Sequence, residues 1–237
     1  MRKHSAPLKR YYYISSAKIS MFDRQRKTNS IWQRLLHFLD TITKVQVGPV
    51  DLERSPGVNS PETDIPKMAR VLTEIERKHT LGTVDEPAEY IKDTLPLFTQ
   101  LIPSRPGSYY RNMDDPGLIY FGGGTAKTAI ALIGSPFHLN GRVRDPSEES
   151  SSDLPDLVAY LNKRFGEIVP RRARKHDSGI TIVEVIDRHN KEPRIPMEFF
   201  AWRILDSANI KGFHPHKRLL LYSPIYVAYA SDSSTQK

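Results

Sequence analysis

The apolar positions of the chain follow strand-like spacing in some segments and helix-like spacing in others. Residues 10–16, RYYYISS, are aromatic and β-branched and predict a first strand. Residues 44–52, KVQVGPVDL, alternate and predict a second strand, at a sheet edge because the segment contains proline. Two apolar runs flank the glycines within residues 118–134 and predict a β-hairpin. Residues 219–230 predict a closing strand that breaks at Pro224.

Other segments carry the spacing, the caps or the uniform apolarity of helices. Asp64 can cap one helix, Pro66 suits its first turn and Gly82 can end it. The segment PMEFFAWRIL is apolar on nearly all sides and predicts a buried helix. Residues 180–187, ITIVEVID, fit either type, and their β-branched content favours a strand. The predicted helices are residues 31–42, 64–82, 85–94, 154–168 and 196–205, and residues 95–115 are predicted to be irregular.

This order of elements predicts the fold class and the domain organisation. Strands and helices alternate loosely and one strand pair is a hairpin, so we expect an α/β or α+β fold. Its mixed β-sheet would be flanked by about five helices. No linker separates two sets of core elements, and we expect one globular domain over residues 10–230. Residues 1–9 form a basic N-terminal arm and residues 231–237 a disordered tail in this interpretation.

Composition narrows the protein class further. Of the 237 residues 38% are hydrophobic and none is cysteine, which excludes disulfides, thiolate metal sites and cysteine nucleophiles. The N-terminus lacks the apolar core of a signal peptide, and no stretch is apolar for long enough to span a bilayer. We therefore expect a cytoplasmic protein.

The formal net charge of +8, with a pI near 9.6, favours anionic partners. Two basic segments, PRRARKH at residues 170–176 and HPHKR at residues 214–218, could contact phosphates. Neither is interleaved with aromatic side chains that would stack on bases. The charge therefore predicts at most weak, electrostatic nucleic-acid binding without sequence preference, and a solvated basic surface is the favoured explanation of the charge.

One phrase occurs twice: an apolar run, then Ser-Pro, then an aromatic residue or histidine nearby, in LIGSPFH and LLLYSPIY. Proline cannot donate to a sheet ladder, so each Ser-Pro marks a strand end or a bulge. If these two strands and RYYYISS run parallel, their ends share one rim, where open α/β sheets bind ligands. Ordinary turn chemistry is the competing explanation. The predicted ligand-binding residues are Ser15, Lys18, Gly122, Gly123, Gly134, Ser135, His138, Ser223 and Tyr226.

Three further patterns are incomplete. GGGTAKT, residues 122–128, lacks both glycines that a phosphate-binding P-loop requires. His214 and His216 lack further metal ligands at a recognisable spacing, and Ser135 with His138 lacks an acidic third member. The sequence therefore predicts no catalytic residue, no metal site and no cofactor.

Six segments in order carry a family resemblance: RYYYISSAKISM, LGTVDEPAEYIKDTLPL, IYFGGGT, LIGSPFHLNG, MEFFAWRIL and LLLYSPIYVAYA. Together they resemble an uncharacterised, mostly actinobacterial family known only as a domain of unknown function. The resemblance spans residues 10–230 and implies a single intracellular domain with no established activity. It also implies that the predicted ligand-binding residues occupy motif positions.

Two classes of function remain open at this point. The first is a non-catalytic binding module in a bacterial regulatory or defence system, which senses a small anionic ligand or contacts a partner protein. The second is an enzyme acting on a nucleotide or nucleic acid, with His138 as acid/base and Lys18 as an anion clamp. A non-specific nucleic-acid binder is a third alternative.

Overall fold

The computed structural model describes residues 9–27, 61–103, 116–140, 179, 182–185, 187–188, 192–210 and 216–230. Within these residues seven strands form one sheet. Two short 3-10 turns follow strands, at Pro136–His138 and Ser207–Asn209. The longer elements are β1 (Tyr11–Ile14), α1 (Ser16–Lys27), α2 (Pro61–Lys78), β2 (Leu81–Gly82), β3 (Tyr90–Pro103), β4 (Pro116–Gly124), β5 (Thr128–Gly134), β6 (Ile195–Asp206) and β7 (Arg218–Tyr229).

Five of the strands close into a barrel. β3 pairs with β4, β4 with β5, β5 with β7, β7 with β6, and β6 returns to β3. Only the β5–β7 pair of this ring is parallel. β1 adds to β7 in the antiparallel sense, and β2 makes a short parallel pair with β3. Closure leaves the ring without a free edge, so its backbone hydrogen bonds are satisfied internally.

The strands of the barrel bury both of their faces, because successive side chains point to opposite sides of a strand. In β7, Leu220 and Tyr222 belong to the interior cluster, whereas Leu219 and Leu221 pack outside against residues 182–185. The interior cluster also includes Ile91, Leu97, Ile119, Phe121, Ile130, Leu132, Met197, Phe199 and Val227. This two-sided burial explains the long apolar runs of the sequence.

A second outer face of the barrel lies beneath α1 and α2. Met68 and Val71 of α2 and Phe22 of α1 pack in one cluster with Phe200 and Trp202 of β6. Burial of these large side chains stabilises the attachment of the helices, at about 1.5–3 kcal/mol for each side chain removed from water. Among the helices that the structure describes, none has the length and apolarity needed to cross a bilayer.

The predicted fold class is wrong. Among the described residues strands predominate and are built around a closed five-stranded barrel with three helical segments, rather than an α/β or α+β sheet flanked by about five helices. PMEFFAWRIL forms β6, and the predicted helix at residues 85–94 leads into β3. Part of the irregular segment at residues 95–115 is also strand. Conversely, the described residues 182–185, predicted as strand, are helical.

The physical reason for these errors is clearest in β6. Its even residues Phe200 and Trp202 face the helices, while Met197 and Phe199 face the barrel interior. A strand buried on both faces loses its polar alternation, and its composition then matches that of a buried helix.

Several predicted elements are confirmed. The hairpin is β4–β5, the first strand is β1, and the closing strand is β7, which continues through Pro224 with an irregular register. The helix predicted from residue 64 is α2, although it begins at Pro61, and Asp64 is a buried residue within it. Gly82 lies in β2 rather than at the helix end. The predicted elements at residues 31–42, 44–52 and 154–168 lie outside the described residues.

Candidate functional site at a strand junction

β7 changes its neighbour halfway along its length. Residues 218–222 pair with β5, and residues 226–228 pair with β1. β6 occupies the opposite edge of β7 along nearly all of this length, so β5 and β1 share one edge and meet end to end. We call this meeting point, residues 14–15, 133–136 and 223–225, the strand junction.

Both Ser-Pro pairs belong to the strand junction, and each has a local structural role. Pro224 lacks an N–H and stands where β7 has left β5 and has not yet reached β1. The Ser223 hydroxyl bridges this gap by donating to the Ile133 carbonyl oxygen, 3.4 Å away. Ser135 caps the first 3-10 turn, where its hydroxyl oxygen accepts from the Phe137 N–H, also at 3.4 Å. The repeated Ser-Pro therefore has two local roles at adjoining positions: one pair begins a turn, and the other lies where β7 changes its pairing partner.

The expected reason for this proximity is wrong, because the strands are not all parallel. β5 and β7 run parallel, but β1 is antiparallel to β7. The C-terminal ends of β5 and β1 consequently approach each other from opposite directions along β7. The Ser15 N–H donates to the Ile225 carbonyl oxygen at 2.9 Å, which fixes the end of β1 beside Pro224.

Lys18 reaches into the strand junction from the first turn of α1. Its Nζ donates to the Pro224 carbonyl oxygen at 3.1 Å and to the Ser15 hydroxyl at 3.3 Å. Ser15 is buried, whereas the Lys18 side chain remains partly exposed. Burial lowers the pKa of Lys18 to about 8. Among the carboxylates that the structure describes, none forms an ion pair with Lys18.

Three of the other described lysines offer a contrast. Lys9 pairs with Glu198, Lys92 with Glu76, and Lys217 with Asp187. Lys18 instead meets a hydroxyl and a carbonyl, and it sits at the positive end of the α1 macrodipole. Its contacts include the Pro224 carbonyl, where β7 changes from β5 to β1, but they supply no negative charge.

His138 and Gly134 lie at the edge of the strand junction, against Tyr13 of β1. The His138 ring meets the Tyr13 ring edge to face at 5.7 Å between centroids. A Cβ on Gly134 would stand 2.4 Å from the Tyr13 hydroxyl oxygen, so Gly134 is small because Tyr13 packs there. Leu139 forms an isolated bridge with Tyr13, which continues the contact past the 3-10 turn.

The remaining predicted site residues lie elsewhere. Tyr226 faces the helix-covered side of the barrel, where its hydroxyl hydrogen-bonds with Glu198. Gly122 and Gly123 pair with Ala131 and Ile130, whereas Ile119 stands opposite Gly134. A Cβ on Gly122 would overlap Phe98, and one on Gly123 would overlap Leu97 and the Pro96 carbonyl. These glycines allow close packing within the barrel wall.

Sequence reasoning missed two participants in the strand junction: the Pro224 carbonyl oxygen and Tyr13. A backbone acceptor has no signature in the residue pattern, and Tyr13 was one of three consecutive tyrosines. The buried contact between the Ser16 hydroxyl and Asp64 was also missed, because it joins α1 to α2 across a long sequence separation. Each of these depends on tertiary pairing.

The groups at the strand junction are suited to binding an anion, and the Lys18 amine is also a possible nucleophile there. The strand junction combines hydroxyl groups, the N-terminal end of α1 and one basic side chain. Within the described residues no group of three potential ligands is arranged to hold a metal ion.

The structure therefore defines a closed-barrel protein with a basic strand junction at one point of its wall. A family model, described as a family of unknown function (DUF7019), matches residues 9–231, and the chain belongs to that family. The resemblance to an uncharacterised family is thus confirmed, while its actinobacterial distribution stays a prediction. No curated protein and no solved structure gave a significant match.

Proposed function

We propose that this chain is a non-catalytic binding module whose strand junction holds a small anionic ligand. A single observation carries the proposal: Lys18 is a partly buried cation whose described contacts are all neutral. A buried charge is costly unless it is paired. A phosphate or carboxylate would supply the counter-charge and restore the pKa of Lys18 towards its ordinary value.

The surroundings of Lys18 suit a small anion. α1 is a helix of 12 residues, and its first N–H groups lie next to Ser15 and Ser16. The Ser15 and Ser223 hydroxyls add two groups that can donate a hydrogen bond after rotation. We place the module in the cytoplasm of a bacterial cell, in a regulatory or defence system, as the sequence led us to expect.

Titration calorimetry with inorganic phosphate and with acetate tests the proposal. The full chain should bind one of them, and Lys18→Met should abolish the heat of binding. Lys92→Met is the matched control, because Lys92 is also a described lysine but pairs with Glu76 outside the strand junction. Equal binding by the parent and by Lys18→Met would contradict the proposal. So would an equal loss of binding in the Lys92→Met control.

The alternative function is an enzyme that acts on a nucleotide or nucleic acid with His138 as acid/base. It is supported by the position of His138 beside the same junction, against Tyr13. Turnover of a nucleotide by the parent chain that His138→Ala abolishes would favour this alternative. Non-specific nucleic-acid binding is the third candidate, and residues 170–176, its main basic segment, lie outside the described residues.

A further inference from the structure

We propose that Lys18 is a reactive amine that forms an imine with the aldehyde or keto group of a small carbonyl compound. The inference goes beyond anion binding, and it concerns the nucleophilicity of Nζ rather than its charge. It rests on the hydrogen-bond geometry around that atom and on the electrostatic surroundings of α1.

The two acceptors around Nζ match a neutral amine. A lysine ammonium carries three N–H donors, whereas the neutral amine carries two and a lone pair. The Ser15 hydroxyl at 3.3 Å and the Pro224 carbonyl at 3.1 Å can take both donors of the neutral form. Because the side chain is partly exposed, the lone pair is left for an electrophile that approaches from solvent.

The electrostatic surroundings also increase the fraction of Lys18 that is neutral. Burial lowers the pKa of Lys18 to about 8, and the α1 N-terminus disfavours a further positive charge. The described titratable side chains on the packed elements make no hydrogen bond or ion pair with Nζ. These side chains include Asp23 and Arg24 of α1, Asp64 of α2, Tyr13 of β1, Tyr226 of β7 and His138 of the 3-10 turn.

The chemical step needs no additional reactant. The amine nitrogen attacks the carbonyl carbon and forms the C–N bond, and the carbonyl oxygen leaves as water with the two amine hydrogens. The C=N bond of the imine replaces the C=O bond, without a change of oxidation state. Lysines with lowered pKa values carry out this chemistry in proteins.

Reductive trapping tests the inference. The full chain is treated at pH 7 with butanal, or separately with glyoxylate, in the presence of sodium cyanoborohydride, and each lysine adduct is followed by peptide mass spectrometry. The lowered pKa raises the free-amine fraction at pH 7 by roughly two orders of magnitude, while lower basicity weakens the nucleophile. Lys18 should therefore be modified about tenfold faster than Lys92.

Two controls make the result specific. Lys18→Arg should remove the fast adduct and leave the others, and Lys92→Arg should leave the fast adduct unchanged. Raising the pH from about 9 to about 10 should accelerate modification of Lys18 only slightly, because Lys18 is already largely neutral above its pKa of about 8. Modification of Lys18 no faster than Lys92 with either aldehyde would overturn the inference.

The outcome separates this inference from the proposed anion site. Butanal carries no charge, so fast modification of Lys18 by butanal without phosphate binding supports the amine and contradicts the anion site. Phosphate binding without fast modification of Lys18 supports the anion site and contradicts the reactive amine. Faster modification by glyoxylate than by butanal at Lys18 alone supports a ligand that carries both a carbonyl and an anion.

Discussion

Gly122 should be replaceable by alanine only if Phe98 is made smaller at the same time. The two residues face each other across the β3–β4 pair. A Cβ on Gly122 would stand 2.1 Å from Phe98 Cζ, well inside van der Waals contact. The Phe98 ring is buried and packs edge to face against Tyr120 at 5.7 Å, so it cannot swing away freely.

The expected cost of Gly122→Ala follows from this overlap. Forcing an additional carbon into a packed core costs about 1–3 kcal/mol. For a chain of this size, that loss lowers Tm by roughly 2–12 °C. Phe98→Leu alone should cost about 1–2 kcal/mol, less than full truncation of the ring. The double variant should be nearly as stable as Phe98→Leu, with a coupling of about 1–2 kcal/mol.

Gly123 provides the contrast within the same strand. A Cβ there would stand 2.6 Å from Leu97 Cδ2 and 2.7 Å from the Pro96 carbonyl oxygen. Shortening Leu97 removes only the first of these overlaps, because the second involves backbone. Gly123→Ala should therefore not be rescued by Leu97→Ala.

Urea unfolding followed by tryptophan fluorescence measures all six variants of the two cycles. Rescue at the Gly122 pair and its absence at the Gly123 pair are the expected pattern. Additive costs at both pairs would refute the idea that the Phe98 ring requires a glycine at residue 122. Loss of phosphate binding in an otherwise stable Gly122→Ala variant would instead support the predicted role of Gly122 in ligand binding.

Two further predictions concern the rest of the core. Trp202 is 8% exposed and stacks on Tyr90. Trp202→Ala should lower the free energy of unfolding by about 3–5 kcal/mol, which a lower urea midpoint would show. An unchanged midpoint would contradict the packing role of Trp202. Burial raises the pKa of Asp206, but hydrogen bonds from Arg218 and Ala208 outweigh it, so the net pKa lies below 3.8. The carboxylate's stabilisation is complete above its unfolded pKa and is lost as the pH falls through the lower folded value. Asp206→Asn should be about 1–3 kcal/mol less stable at pH 7, and this difference should shrink below about pH 4; a difference independent of pH would exclude the carboxylate as its source.

The sequence alone predicted the strands that local residue types indicate. The β4–β5 hairpin follows from glycines between two apolar runs, and β7 follows from its β-branched and aromatic content. α2 was predicted as a helix, but Asp64, its predicted cap, is buried together with Met68, Val71 and Ile75. A sequence pattern assigns aspartate to the exposed side of a helix, because the buried contact of Asp64 with Ser16 is known only from the structure.

The sequence also predicted that the two Ser-Pro pairs lie close together and near Ser15 and Lys18, but for a reason that proved wrong. Ser-Pro marked the points where β5 ends and where β7 changes from β5 to β1, since proline cannot donate to a ladder. The predicted parallel rim does not exist, and β1 reaches the junction from the opposite direction. Strand direction depends on chain connectivity in space, which residue patterns do not encode.

Only the tertiary structure decided that the chain closes into a barrel and that Lys18 faces neutral acceptors. Because β6 is buried on both faces of its strand, it lacks the alternation of apolar and polar residues that would have distinguished it from a helix. The environment of Lys18 depends on the Pro224 carbonyl, an acceptor that lies where β7 changes partners from β5 to β1. Local sequence determines residue types and turns, whereas the pairing of distant strands determines which backbone groups remain for a side chain to bind.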